Sequence, residues 1–340
     1  MMGDIKMTDR QNNHARTAGL TAICAALALA LALAGCGGEA TAEVEAERTV
    51  SEITIDGTDI FPESLTADAK GNIYAGSAGG TIYRAEPGAT IATAWAVPDQ
   101  ENGLQSLFGV LADDAHGLLW TCSNQDMFSP GENALPPAIK AFTLGTGKIA
   151  ASYDFPEGKP VVCNDIAIAA DGTAFATETA SGRIFQVAAG ADEMTLFADG
   201  EELIGVDGIA FAEDGTMYIN NVRQNLIQRV ERNEDGSYAG LTTLELSEPV
   251  AGPDALRPLG GNRFLQAEGT NGRITVVTIE GDKANISVVE DRFDSTAAAT
   301  HFGNTGYTAE GKIAYRFDPA LQGQDPGPFT IETFPMPQAE

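Results

Sequence analysis

The sequence predicts an all-β chain folded as a six-bladed β-propeller with a metal site in its central channel. A phrase of apolar strand, turn and second strand recurs six times. It starts at Glu63, Gly109, Asn164, Asp207, Asp254 and Ser295, each eight residues before a turn at Gly71, Gly117, Gly172, Gly215, Asn262 or Gly303. Successive starts lie 46, 55, 43, 47 and 41 residues apart, which matches the roughly 40–50 residues of a propeller blade. Helical periodicity is nearly absent. A lone meander of three or four strands buries little, whereas a ring of such units builds a core.

The units read as follows. The first, ESLTADAKGNIYAGS, is followed by a third strand, TIYRA, after Gly79 and Gly80. The second, GVLADDAHGLLWTCS, alternates at Val110 and Ala112 and turns at His116-Gly117. After it comes NQDMFSPGENALPPAIK from Asn124, a Pro-rich excursion bearing Met and Phe that forms either part of a pocket wall or a surface loop. The third, NDIAIAADGTAFATET, and the fourth, DGIAFAEDGTMYINN, alternate at Ile166/Ile168 and Ile209/Phe211 around Asp-Gly turns, with GRIFQV and LIQRV as later strands. The fifth, DALRPLGGNRFLQAE, is followed by GRITVV at Gly272, and the sixth is STAAATHFGNTGYTAE. TVSEITI at Thr49 and FTIETF at Phe329 are strand-like segments at opposite ends of the propeller region, and pairing them would close the ring and remove a loose edge.

Four of the six starts carry a carboxylate or carboxamide: Glu63, Asn164, Asp207 and Asp254. Any one of them alone is an ordinary turn residue, because Asp and Asn bond the local backbone. Jointly they occupy one repeat position on the innermost strands, which places them in a ring around the axis. Three carboxylates and an amide converging there repel unless a cation lies among them. Oxygen donors without His or Cys favour Ca2+ or Mg2+, and calcium tolerates irregular geometry. Calcium is the expected ion, with Mg2+, Mn2+ and Zn2+ as alternatives.

With Glu in ESL, Asn in CNDI, Asp in VDGI and Asp in GPDA, the chain resembles the gluconolactonase/regucalcin family of six-bladed propellers, over roughly residues 51–334. The resemblance implies a catalytic divalent ion held by Glu63, Asn164, Asp207 and Asp254. It also implies metal-assisted hydrolysis of a lactone or related ester, in which the ion polarises the carbonyl and Asp254 acts as base or nucleophile. Two departures bear on the substrate. Position 207 is commonly Asn in that family, and the substrate-holding Arg two residues before the asparagine is Val162 here. A sugar-acid lactone is therefore not the expected substrate. A non-catalytic cell-envelope binding propeller with a structural calcium ion is the alternative.

His301, in the sixth unit, and Asp165, beside Asn164, are candidates for contacts behind the ion or with substrate, although a lone histidine is more often a packed or surface residue. Glu178, Asn220, Asn221, Gln266 and Glu268 on second strands are further polar candidates near the axis. There is no GxSxG, no GxxxxGK followed by Ser or Thr, and no HExxH or CxxC, and three histidines in all exclude an all-His metal site, given that one of them is His14 in the leader.

Lys6, Arg10 and Arg16 precede an Ala/Leu-rich run from Ala18 to Ala34 that ends in Leu33-Ala34-Gly35-Cys36. This reads as a secretory signal over residues 1–35, and the ending resembles a bacterial lipoprotein signal that would place a lipid on Cys36. A single membrane-spanning helix is the alternative for this apolar run. Residues 36–48 read as a flexible tether and 49–336 as the propeller. Lipidation at Cys36 would hold the protein at a membrane, with the outer membrane facing the periplasm expected from Gly37. Of four cysteines, only Cys122 and Cys163 remain in the propeller. An oxidising compartment permits a bridge between them, but free buried thiols are the expectation. A net charge of −28 argues against nucleic acid as a partner, and a monomer acting on a small ester or lactone is expected.

Overall fold

A computed structural model describes residues 51–127, 131 and 134–337. The signal, the tether and Cys36 lie outside the described residues. Strand β1 (Glu52–Ile55) precedes a first sheet of β2 (Pro62–Ala67), β3 (Ile73–Ser77), β4 (Ile82–Ala85) and β5 (Ile91–Ala96). The second sheet is β6 (Ser106–Asp113), β7 (Leu118–Asn124), β8 (Ala138–Thr143) and β9 (Ile149–Asp154). The third is β10 (Cys163–Ile168), β11 (Ala174–Glu178), β12 (Arg183–Val187) and β13 (Thr195–Asp199). The fourth is β14 (Val206–Phe211), β15 (Met217–Asn221), β16 (Leu226–Arg232) and β17 (Tyr238–Thr243). A short β18 (Glu245–Leu246) joins β19 (Pro253–Pro258), β20 (Arg263–Glu268), β21 (Arg273–Glu280) and β22 (Lys283–Glu290). Last come β23 (Ala298–Phe302), β24 (Thr305–Ala309), the one-turn helix α1 (Ala314–Phe317) and β25 (Thr330–Pro335).

These strands are antiparallel meanders because the turns between them carry Gly or Asp/Asn where a tight reversal needs it, as at Gly172 and Gly215 with φ of 85° and 82°. The first strands of successive sheets contact one another in the cyclic order β2, β6, β10, β14, β19, β23 and back to β2. They therefore line one axis, as the channel strands of a β-propeller do. β1 pairs antiparallel with β25, Ile53 opposite Ile331, and also runs parallel to β5, Thr54 opposite Ile91. The N-terminal strand thus completes the last sheet and joins it to the first.

The core lies between neighbouring sheets. Tyr74, Leu107 and Phe142 pack between the first and second, Ile139, Ile166 and Phe185 between the second and third, and Phe175, Ile209 and Met217 between the third and fourth. Tyr218, Leu256 and Phe264 fill the next gap, and Leu265, Ala299 and Phe334 the one after. Ile53, Ile55, Leu65 and Ile331 seal the joint between last and first. No sheet buries both faces by itself, so each depends on two neighbours.

Candidate metal centre

Glu63, Asn164, Asp207 and Asp254 each occupy the second residue of a channel strand, β2, β10, β14 and β19. In all four strands the ladder is interrupted at that point. Pro62 pairs with Ser77 but the next pair is Ser64 with Gly76; Cys163 pairs with Glu178 and then Ile166 with Ala176; the same shift follows Val206 and Pro253. A bulge takes a side chain out of the regular alternation and re-aims it, here into the mouth of the channel. Two glycines let the strands converge. A Cβ on Gly109 would stand 2.4 Å from the Asn164 carbonyl oxygen, and one on Gly208 2.5 Å from that of Asp254. The four side chains line one cavity of about 430 Å3.

Hydrogen bonds fix which atoms face that cavity. Thr179 donates its hydroxyl proton to the Val206 carbonyl at 2.6 Å, so its oxygen can only accept from Asn164 Nδ2 at 3.0 Å. The same amide donates to Asp207 Oδ2 at 2.8 Å. Both amide protons are committed, which leaves Asn164 Oδ1 as a free acceptor. Asp207 Oδ1 is buried with no hydrogen-bond partner. Asp254 Oδ1 accepts the Ala255 N–H at 2.8 Å, and its carboxyl lies close to that of Asp207. Glu63 accepts no hydrogen bond from the described residues, and β14 is anchored through its backbone, since Thr177 donates to the Asp207 carbonyl at 2.6 Å.

The acids perturb one another. Burial, reinforced by the Asp254 and Asp165 carboxylates, holds Glu63 well above the ordinary carboxylate range. Burial and the neighbouring Asp254, Glu63 and Asp165 do the same to Asp207. Asp254 is pushed up to about 7 by burial, against the lowering effect of the adjacent Asp207 carboxyl and of the Ala255 N–H it accepts. Each shift has the same origin, negative charge concentrated in a place that water solvates poorly.

Among the described residues, no three His, Cys, Asp or Glu side chains are gathered closely enough to cage an ion by themselves. The donor set here needs the Asn164 amide as a fourth member. An orphaned buried oxygen on Asp207, a free Asn164 Oδ1 and an unmatched Glu63 nevertheless make an all-oxygen set short of positive charge. That set fits a hard divalent cation.

The nearest buried cation is already engaged below the cavity. Arg257 Nη1 pairs with Asp165 Oδ2 at 2.8 Å and Nη2 donates to the Val110 carbonyl at 3.2 Å, with Ser64 Oγ at 3.4 Å. One guanidinium thus spans from β19 to β10, β6 and β2, plugging the axis. This places Asp165 under the cavity, holding Arg257 and the Ile209 N–H and outside the cavity lining. Arg257 is missed by sequence reasoning, although it stands three residues after Asp254. His301 lies on β23, half-buried with an unpartnered Nδ1, and does not line the cavity.

The second-strand polar residues hold loops. Glu178 accepts from Val162 N at 3.1 Å and pairs with Arg183 at 2.9 Å; Glu268 accepts from Ala251 N at 2.9 Å and pairs with Arg273 at 3.0 Å. Both thereby pin the segment entering a donor-bearing strand. Asn220 joins the Gly208 N–H, at 2.7 Å, to the Asp254 carbonyl, and Gln266 lies beside it. Cys122 and Cys163 are joined in a disulfide with Cα atoms 5.4 Å apart, which corrects the expectation of free thiols: the channel strand of the third sheet runs against the second strand of the preceding sheet closely enough for the bond. Asn124 reinforces that junction by bonding both the N–H, at 2.9 Å, and the carbonyl, at 2.8 Å, of Cys163. Within the excursion after Asn124, Asp126 and Met127 line the cavity.

The N-terminal strictosidine synthase-like family model matches residues 50–85. No curated protein matches the sequence. Among solved structures, the Malassezia sympodialis allergen Mala s 1 is similar at a TM-score of 0.62 and 12% identity, over 83% of this chain and 95% of that one. A putative gluconolactonase is similar at a TM-score of 0.58 and 15% identity, over 83% and 92%. The virginiamycin B lyase of Staphylococcus aureus is similar at a TM-score of 0.54 and 16% identity, over 84% and 98%. With the closed order of channel strands, these likenesses establish a β-propeller fold.

Proposed function

We propose that this protein is a six-bladed propeller that binds calcium through Glu63, Asn164, Asp207 and Asp254 and hydrolyses lactones or related esters. The observation that carries the reading is the repetition of one device. Four donor side chains sit at the same strand position, each in a bulge, and turn unmatched oxygens into one cavity. A bound divalent ion would polarise the substrate carbonyl and stabilise the charge that develops on its oxygen. Glu63 supplies charge, and Asn164 a neutral oxygen whose direction Thr179 fixes. Asp254, oriented by the Ala255 N–H, accepts the proton of the attacking water, and that proton then passes to the departing alkoxide. Asp207 keeps the Asn164 amide and Asp254 in register.

The name of the putative gluconolactonase among the similar structures agrees with this chemistry. The Cys122–Cys163 bond agrees with an oxidising compartment, and with export and anchoring through a lipid on Cys36 at the outer membrane facing the periplasm. The test is hydrolysis of aliphatic and aromatic lactones, aryl acetates and a phosphotriester, with calcium, with chelator, and by Asp254→Asn. Activity lost in both chelator and variant supports the hydrolase. No turnover by folded, calcium-saturated protein replaces it with a binding propeller whose ion is structural.

A further inference from the structure

We infer that the cavity is built for an amphiphilic monoanion, an ester or lactone with an apolar body and a carboxylate that Arg223 engages. The inference rests on the cavity being the substrate site proposed above. Its walls above the acids are apolar: Phe61, Phe108, Met127, Val162, Ile313 and Phe317. Met127 is 52% and Phe317 57% exposed, so large apolar side chains gather at the mouth of a concave site, where a ligand would cover them. A polyhydroxylated sugar would find few partners on that wall.

Two arginines line the same cavity, and they differ. Arg316 is hydrogen-bonded to Asp126 at 2.5 Å and lies over the Phe61 ring at 5.5 Å, which makes it part of the wall. Arg223 is exposed, and its guanidinium has no hydrogen-bond or ion-pair partner among the described residues. In a chain with 48 Asp and Glu against 20 Lys and Arg, Arg84, Arg183, Arg229, Arg257, Arg273, Arg292 and Arg316 are ion-paired; of the other described arginines, Arg223, Arg232 and Arg263, Arg223 is the one that lines this cavity.

The backbone under Arg223 is held. Its N–H donates to Asn221 Oδ1 at 3.1 Å, Asn221 Nδ2 donates to the Ile204 carbonyl at 3.0 Å, and Asn225 Oδ1 accepts the Gly252 N–H at 2.8 Å. The loop is therefore tied to the segments that enter β14 and β19, the strands of Asp207 and Asp254. The Arg223 stem rests against Gly205, at φ 92°, where an added Cβ would fall 2.8 Å from its Cβ and Cγ. An unpaired guanidinium on a pinned loop that lines the acids' cavity offers a planar, two-pronged donor to an anion. One arginine balances one negative charge, and Glu63, Asp207 and Asp254 together already exceed the charge of one divalent ion; a dianionic phosphate would add to that excess, so a carboxylate is the better match.

The test is calorimetric binding of octanoate and its neutral counterpart octanamide to the full, calcium-saturated chain, its Arg223→Gln variant and its Arg223→Lys variant. Octanoate is expected to bind about tenfold or more tightly than octanamide, a charge-assisted pair being the difference. Arg223→Gln is expected to erase that preference and Arg223→Lys to keep part of it. Equal affinities in the wild type, or a preference that survives Arg223→Gln, overturns the inference. Because the readout is affinity, a preference that depends on Arg223 supports the anion site even if no ester is turned over, and ester turnover without it supports hydrolysis while removing the anion site.

Discussion

Asp254→Asn keeps an oxygen for the Ala255 N–H but removes a negative charge and a proton acceptor from the cavity. Activity is expected to fall at least about a hundredfold in kcat/KM, with the metal-free melting temperature equal to or above that of the wild type, because one of three mutually repelling acids is gone; turnover and thermal unfolding together check this. The charge cluster also sets a pH dependence. Glu63, Asp207 and Asp254 hold protons more tightly in the folded chain than in the unfolded one, Asp254 up to about 7. Their contribution to folding is therefore full at low pH and is lost as pH rises toward neutrality. Metal-free protein is expected to lose melting temperature between pH 5 and pH 8, and added calcium, which competes with those protons, is expected to raise it more at pH 8 than at pH 5. A calcium-induced rise independent of pH would count against these acids as ligands. Arg257 makes a different demand. Arg257→Met leaves Asp165 buried without its cation and is expected to cost about 3–5 kcal/mol, as removal of one partner of a buried pair does; chemical denaturation of the single variant and of its combination with Asp165→Asn, which should recover part of the loss, tests the assignment.

At the scale of strands, the repeat was readable because its marks are local: a turn residue at one offset and alternating apolar positions on either side. The four donors could be aligned from the sequence for the same reason. What makes them converge could not be read. The bulges after Pro62, Cys163, Val206 and Pro253 arise from pairing with the next strand, and no residue in those phrases signals a skipped pair. Arg257 looks like an ordinary strand residue until four channel strands are brought around it. Glu178 and Glu268 were legible as polar groups near the axis, but their role in tying loops depends on Arg183 and Arg273, five residues on, folding back in the adjacent strand. The Cys122–Cys163 bond belongs to the same class, since its two ends meet only when the sheets stack. It closes a sequence separation of 41 residues, which a chain-entropy account values at about 4 kcal/mol. Replacing both cysteines by serine is expected to lower stability by up to that amount and to weaken calcium by only a few fold, because Asn124 still holds the backbone of Cys163 beside Asn164. Denaturant unfolding and calcium titration separate the two effects, and complete loss of calcium binding in a folded variant would show that the bond alone holds Asn164.

For the whole molecule the decisive contact is the one that makes a ring of a linear repeat. An open array of units would gain stability from nearest neighbours only, and its ends could fray separately. Here β1 lies between β25 and β5, so the last sheet, the first sheet and the N-terminal strand form one eight-stranded surface, with Ile53 and Ile55 buried in the joint. The four donors come from strands in different sheets, and their common focus exists only while the ring is closed. Ile55→Asp places an unpartnered carboxylate in that joint, and burying such a group is costly. It is expected to lower the melting temperature and to weaken calcium binding although residue 55 lies on an outer strand far from the donors in the ladder. Calcium should then restore part of the lost stability, because an ion that binds only the closed form stabilises it by mass action. Far-UV circular dichroism and the fluorescence of Trp95 and Trp120, in the first and second sheets, should report one shared transition in the wild type. In Ile55→Asp without calcium the two signals should separate, with the first sheet loosening earlier. Coincident transitions with unchanged calcium affinity would mean that each sheet carries the site without the closure, and the ring would then be dispensable to it.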